Sequence, residues 1–374
     1  MNKGLFRKGL VFGIIVLFVG AGVIPLSSII AEKTSIKLVS NGNTLYVGGT
    51  GEGNYSKIQD AIDNTSNGDT VFVYDDSSPY YEEIDISKPI NLIGENRYTT
   101  IIDGSNNWII IYIRTTWVTV SGFTIRNSHK YSHAIYLRQN SNYNTITDNI
   151  ISNNGDGIHL DWFTRSNNIS YNTINSNEGY AIDLDESSSN IVMGNIISNN
   201  FGGIHVYPNS DDNTITNNII SNNDFGISIG TSSHNDIIDN TVNSNKLYGI
   251  HIWAASDNNT IKGNTINSNK GDGIYLENRK LFSDNNIITG NNISSNYMYG
   301  INITWSSKNL ISENNFIDNN KYAYFIDCKN TWKHNYWGKH RILPKPIFGV
   351  IKIGSYWIPW INIDWRPALK PYDI

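Results

Sequence analysis

Five residues in one stretch have the types and spacing to do chemistry together. His159 and Asp161 flank Leu160, Asp183 and Asp185 flank Leu184, and His205 follows 22 residues after Asp183. Imidazoles and carboxylates exchange protons near neutral pH. Carboxylates separated by roughly 5 to 9 Å serve glycoside hydrolysis, one protonating the leaving oxygen while another activates water or attacks. Crowding would raise the pKa of at least one of them, which a general acid needs. Whether the five meet depends on the elements that carry them.

Those elements are repeats. From Ala134 to Tyr324 three marks recur in order: Asn-x-apolar-x-x-Asn, then a Gly or Ala followed by an apolar residue, then a second apolar residue two positions on. One copy is Asn149-Ile150-Ile151-Ser152-Asn153-Asn154 with Gly157-Ile158-His159-Leu160, and another is Asn218-Ile219-Ile220-Ser221-Asn222-Asn223 with Gly226-Ile227-Ser228-Ile229. The Gly/Ala mark falls at Ala134, Gly157, Ala181, Gly203, Gly226, Gly249, Gly273, Gly300 and Ala323, every 22 to 24 residues with one interval of 27. No apolar pattern holds at 3.6 residues for three turns, which excludes helices from the body. Two or three short strands joined by tight Asn- and Gly-rich turns account for about 23 residues per coil, giving a single parallel β-solenoid.

Two asparagine columns run through the repeats, Asn149 to Asn314 and, five residues later each time, Asn154 to Asn319. Asparagine tolerates left-handed backbone, and its amide can donate to one copy while accepting from another, so amide ladders are expected. Side chains alternate along a strand, so the residue between the paired apolar positions faces outward, and so does the one just after them. The first outward column is Tyr136, His159, Asp183, His205, Ser228, His251, Tyr275, Asn302 and Phe325. The second is Arg138, Asp161, Asp185, Tyr207, Gly230, Trp253, Glu277, Thr304 and Asp327. Neighbours in a column stand ~4.8 Å apart and the columns ~6.7 Å apart, which gathers the five residues on three coils. Tyr207 and Trp253 would offer ring faces to sugars, with His251, Tyr275 and Glu277 beside them, and Arg138 and Arg165 could pair with an acidic sugar's carboxylate. The bland alternative is that outward strand positions are polar in any soluble solenoid.

The rest of the chain narrows the classes. A net charge of -5 with 16% charged residues gives no nucleic-acid surface. The single cysteine, Cys328, excludes an intrachain disulfide framework. Lys3, Arg7 and Lys8 ahead of an apolar run to Ile24 have the layout of a secretory signal over residues 1–31, and only an uncleaved signal would bring the chain to a membrane. Residues 40–125 read as an N-terminal cap and first coils, 126–331 as regular repeats and 332–374 as a Trp- and Pro-rich cap. Ser56 is placed to cap a short helix with Ile58, Ala61 and Ile62 on its apolar side. Residues Asn278–Asp284 form a longer loop beside the strip.

Ile58-Gln59-Asp60-Ala61-Ile62, Gly68-Asp69-Thr70-Val71-Phe72-Val73, Ile90-Asn91-Leu92-Ile93-Gly94 and Ile101-Ile102-Asp103-Gly104 resemble the first coils of right-handed parallel β-helix proteins of the pectin-lyase-like superfamily. Within it they resemble the NosD-like, carbohydrate-associated group. Asn335-Tyr336-Trp337-Gly338 and Asp364-Trp365-Arg366-Pro367 are similar to the endings of archaeal exported members. The resemblance implies the fold, whereas its members include lyases, hydrolases, epimerases, adhesins and a copper-delivery protein. The expectation is a monomeric, secreted or cell-surface protein that binds a polysaccharide or other surface glycan along the strip without catalysis. A polysaccharide hydrolase, lyase or epimerase using the His/Asp residues is the second reading, and a structural or adhesive rod the third. No cofactor is expected. Whether a metal binds is open, since His159 and His205 lie two rungs apart and would have to lean together, and Met193 and Met298 are too few for soft copper(I) ligation.

Overall fold

The computed structural model describes residues 42–278 and 283–374. The expected signal segment, 1–31, and the middle of the long loop lie outside the described residues. Among the described residues no helix is long and apolar enough to cross a membrane.

Each regular coil lends one short strand to each of three sheets whose coil-to-coil pairing is parallel. In the coil of His159 these are Thr145–Thr147, Ile150–Ser152 and Asp156–Leu160. Among the described residues the first sheet has 13 strands and the second 10. The third has 13 and ends in Lys345–Ile353 and Tyr356–Asp364. Coils stay in step, with Ile146 beside Ile169, Ile151 beside Ile174 and Ile158 beside Ile182. Those isoleucines and Leu160 are fully buried, each contributing about 1.5–3 kcal/mol of apolar burial. The expected all-β solenoid is therefore what this sequence builds.

The corners are held by asparagine ladders. The backbone N–H and Nδ2 of Asn195 donate to Oδ1 of Asn218 at 2.9 and 3.0 Å, and those of Asn218 donate to Asn240 at 3.0 and 3.0 Å. Asn218 Nδ2 also donates to Val192 O and Thr216 O, so its whole amide is answered inside the protein. A third ladder joins the two expected ones, running through Asn144, Asn167, Asn190 and Asn213 to Asn330, with buried serines such as Ser187, Ser210 and Ser232 stacked nearby. Left-handed backbone belongs to the residue before the ladder asparagine, contrary to expectation, in all but the last step at Asn330: Asp148 (φ 55), Asn153 (φ 57) and Ser166 (φ 55) precede Asn149, Asn154 and Asn167. The ladder residues are selected for hydrogen bonding alone.

Both ends of the solenoid are closed. A helix, Ile58–Asp63, lays Ile58, Ala61 and Ile62 over the first coils. Ser56 does not cap it; Glu82, from a later coil, accepts from the N–H groups of Ile58 and Gln59 at 2.9 and 3.0 Å, placing a negative charge at a helix N-terminus. At the other end Trp332 and Trp337 are buried, and Trp337 stacks on Phe316 at 4.6 Å. Trp357, Trp360 and Trp365, expected to cover the last coil, are exposed on and beside the terminal hairpin. What the hairpin contributes to the closure is Asp364, fully buried, whose Oδ2 accepts from Asn335 N, Asn335 Nδ2 and Trp337 Nε1 at 3.0, 3.2 and 3.1 Å.

Neighbouring residues at one corner should respond oppositely. Asn218→Ala strands buried donors and an acceptor and should cost about 1–3 kcal/mol in denaturant unfolding. Asn217→Gly, at φ 55, should leave stability unchanged or raise it by up to about 1 kcal/mol.

Candidate functional site

The third sheet positions the side chains singled out from the sequence, and its strands do not alternate strictly. Asp156–Leu160 runs half-buried, buried, buried, half-buried, buried, as do His133–Leu137 and Tyr180–Leu184. Strict alternation would turn Gly157 outward and Asp156 inward. Gly157 packs inward instead, where an added Cβ would come 2.4 Å from Ala181 O and 2.8 Å from Ile174 Cγ2. The break creates a third outward column, His133, Asp156 and Tyr180, which alternation alone does not reveal.

Register places His159 beside Asp183 and Asp183 beside His205. Both imidazoles lean toward the carboxylate between them: His159 Nδ1 lies 3.2 Å from Asp183 Oδ2, and His205 Nδ1 2.8 Å from Asp183 Oδ1. A carboxylate only accepts, so each Nδ1 carries the proton and each Nε2 is left for other work. Burial raises the Asp183 carboxyl, but its hydrogen bonds to His159 and His205, with their charge, outweigh burial and hold it far below the usual carboxylate range. Burial likewise depresses the His159 imidazole, but Asp183, with Asp156 and Asp185 adding charge, holds it above its ordinary value. Asp185 goes the other way. Burial, then the negative charge of Asp183, raises its carboxyl, and among the described residues no side chain hydrogen-bonds to it. Asp161 accepts the Tyr136 hydroxyl, and Asp156 Oδ2 stands 3.1 Å from His133 Nδ1 while its Oδ1 takes the Tyr180 N–H.

Rings in these columns stack along the solenoid axis. His133 lies 4.5 Å from His159, and Tyr180 4.3 Å from His205. Farther along, Tyr207 and Trp253 stack on each other at 5.0 Å, the indole lying over Gly230 and donating to Ser228 Oγ. The stacking covers one face of each ring. His251 stacks on Tyr275 at 5.2 Å and faces Glu277 Oε1 at 3.5 Å, while Tyr275 donates to Glu277 Oε2. Arg138 is exposed beside Tyr136, on whose phenol its charge acts. Arg165 sits on the corner leaving the sheet, its N–H held by Asn142 Oδ1. Phe325, expected outward, is buried, because the last coil slips by one residue and sets Tyr324 beside Asn302.

Two groups bring potential metal-ligating atoms within 4.8 Å of one another: His159, Asp161 and Asp185, and His133, Asp156 and His159. Imidazole with carboxylate suits a divalent zinc- or copper(II)-type ion. Among the described residues the sulfur atoms are scattered: Cys328 is buried with its thiol on Ile303 O, Met193 lies on a first-sheet strand, and Met298 is exposed just before the strand Tyr299–Thr304.

Residues 97–266 match the family described as right handed beta helix region, and residues 206–358 the family described as periplasmic copper-binding protein (NosD). The fold is a right-handed parallel β-helix, and over the matched residues the sequence is NosD-like. No curated protein matches its sequence. Solved structures similar to this β-helix include the Azotobacter vinelandii mannuronan C-5 epimerase AlgE4 A-module, at 15% identity and TM-score 0.58 over 73% of this chain and 89% of that one. An alginate lyase from Paenibacillus sp. str. FPU-7 is similar at 14% identity and TM-score 0.51, over 67% of this chain and 94% of that one. DFA-IIIase from Arthrobacter chlorophenolicus A6, without its lid and in complex with GF2, reaches TM-score 0.60 at 12% identity, over 80% of this chain and 95% of that one. At such identities the likeness is one of fold.

The network gives the β-helix a pH signature. Asp183, with its pKa lowered, adds stability above its unfolded value of about 3.9 that is lost as pH falls through the folded pKa; His159, with its pKa raised, adds stability below about 6.5 that is lost as pH rises through the folded pKa. Asp185, raised by burial, subtracts stability as it ionises above about 3.9. The difference in melting temperature between wild type and Asp183→Asn should therefore be largest between about pH 4 and 6.5 and shrink on both sides.

Proposed function

We propose that this protein performs acid–base chemistry on a polysaccharide laid along the outward face of the third sheet, outside the cytoplasm. The observation that carries the reading is Asp183 holding His159 and His205 by their Nδ1 atoms. A purely structural face has no need to bury a carboxylate between two oriented imidazoles. The arrangement leaves two Nε2 atoms on one surface, with the raised pKa of His159 suiting it to hold and donate a proton. His205 Nε2 then serves as the acceptor. Asp185, raised by burial and without a hydrogen-bonding side chain, is a second donor.

Asp161 and Asp185 come within 4.8 Å, closer than the roughly 6.5 Å or more that an inverting hydrolase leaves for water. Among hydrolytic routes that spacing favours retention, and it leaves elimination and epimerisation open. The neighbouring folds belong to a mannuronan epimerase and an alginate lyase, which agrees with a carbohydrate substrate. The matched family's name supports an extracytoplasmic setting and brings copper into consideration. His159, Asp161 and Asp185 would hold such an ion in its divalent state, and its Lewis acidity would then replace proton donation by His159 and Asp185. A second reading, glycan binding without catalysis, is favoured by the extent of the strip, which continues past the His/Asp centre through Trp253, Tyr275 and Glu277.

The purified protein should release unsaturated or reducing ends from, or change the uronate epimer composition of, at least one polymer in a panel of uronic-acid and neutral polysaccharides. His205→Gln and Asp183→Asn, read on that same product, should each slow its formation about a hundredfold or more. Retention on an affinity gel without product, unchanged by both substitutions, would establish the binding reading instead.

A further inference from the structure

Past Asn302 the outward strip of the third sheet runs into a pocket walled by Tyr299, Tyr324, Trp337 and Phe348 of the terminal hairpin. Two lysines line it. Lys321 Nζ lies 5.2 Å from the centre of the Tyr299 ring and 3.4 Å from its hydroxyl, and Lys345 Nζ stands 5.8 Å from the ring centres of both Tyr322 and Trp337. Among the described residues no carboxylate pairs with either. Asp364 is opposite Lys345 in the hairpin register, yet its oxygens are taken by His334, Asn335, Trp337 and Arg366. The charges that do bear on Lys345 are Arg341 and Lys339, both positive, and after burial they push its ammonium below the ordinary value.

A half-buried cation surrounded by rings and other cations is paid for by an anion that arrives from outside. The rings select its shape. Tyr299 and Tyr324 stack at 5.3 Å, and a ligand that fills the space between them and Phe348 needs an apolar face as well as a charge. We infer that this pocket binds the carboxylate-bearing ring of an acidic sugar, at the C-terminal end of the same strip that carries the His/Asp centre. The choice of a sugar rests on the polysaccharide reading above; the choice of an anion rests on the lysines. From Asp183 to Tyr324 is six coil steps in register, or ~29 Å at ~4.8 Å per step, so one extended polymer could occupy both places.

Calorimetric titration of the intact protein with trigalacturonate, a neutral galactose trisaccharide and sodium sulfate tests the inference. Trigalacturonate should bind about tenfold or more tighter than the neutral trisaccharide, and Lys321→Met and Lys345→Met should each remove most of that difference. Lys321 is exposed, so its variant reports even where the Lys345 variant misfolds. Equal affinity for charged and neutral trisaccharides, or binding indifferent to both lysine substitutions, would overturn the inference. Sulfate binding as tightly as trigalacturonate would overturn the sugar assignment. Asp183→Asn separates the two sites: it should leave trigalacturonate affinity unchanged while abolishing polymer turnover, and loss of affinity in that variant would place the ligand on the His/Asp centre and overturn the pocket. A protein that binds trigalacturonate through its lysines but converts no polymer would sink the catalytic reading and keep the pocket.

Discussion

From Asn149 onward the corners of the solenoid turn on one repeated contact, a backbone N–H and a side-chain amide donating together to the side-chain oxygen of an asparagine one coil on. The geometry is demanding. The chain must bend sharply while its polar groups go into the interior, where an unanswered amide would cost about 1–3 kcal/mol. The residue before each ladder asparagine but Asn330 takes up left-handed backbone, as at Asp148 and Asn217, and the asparagine takes up the polar groups the bend exposes. Division of the two tasks between adjacent residues is what lets the apolar positions remain isoleucine, leucine and valine all along the axis.

That regularity is also what makes the His/Asp centre possible. Because the coils are held in step, His159, Asp183 and His205 arrive on successive rungs without any loop to position them. One carboxylate can then orient two imidazoles from opposite sides. Its charge is stabilised by the same contacts that raise His159, while Asp185, a short way along the strand and lacking such contacts, is driven the other way. Two aspartates with nearly identical sequence surroundings thus acquire different proton affinities from what lies beside them on the neighbouring coils.

The coil length, the inward isoleucines and two of the three ladders are legible in the sequence, since each depends only on period. The Asn144-to-Asn330 ladder follows the same five-residue spacing ahead of the Asn149 column, and could have been found from it. The outward column of His133, Asp156 and Tyr180 could not, because alternation breaks at Gly157 for reasons of packing against Ala181 and Ile174. Likewise, periodicity does not tell that Tyr207 and Trp253 lean across Gly230 to meet, or that Glu82 replaces Ser56 at the helix start. Those depend on side chains brought close from different coils, and on the one-residue slip that buries Phe325.

The ladder has a direction. In each ladder the side-chain oxygen accepts from the coil before it, so the first oxygen of the Asn149 ladder is answered by the backbone of Phe123, and the last donors of that ladder, on Asn335, require an acceptor that is no longer an asparagine. Asp364 is that acceptor. Gain or loss of one entire turn would leave the ladder donors and acceptors matched, and extra residues within a turn are looped out with all three ladders intact, as between Asn259 and Asn286, Asn264 and Asn291, and Asn269 and Asn296. Ladders of this kind therefore fix the rise per coil and not the number of residues in it, so a whole added turn would move the terminal pocket away from Asp183 by ~4.8 Å while a longer loop would leave that distance unchanged.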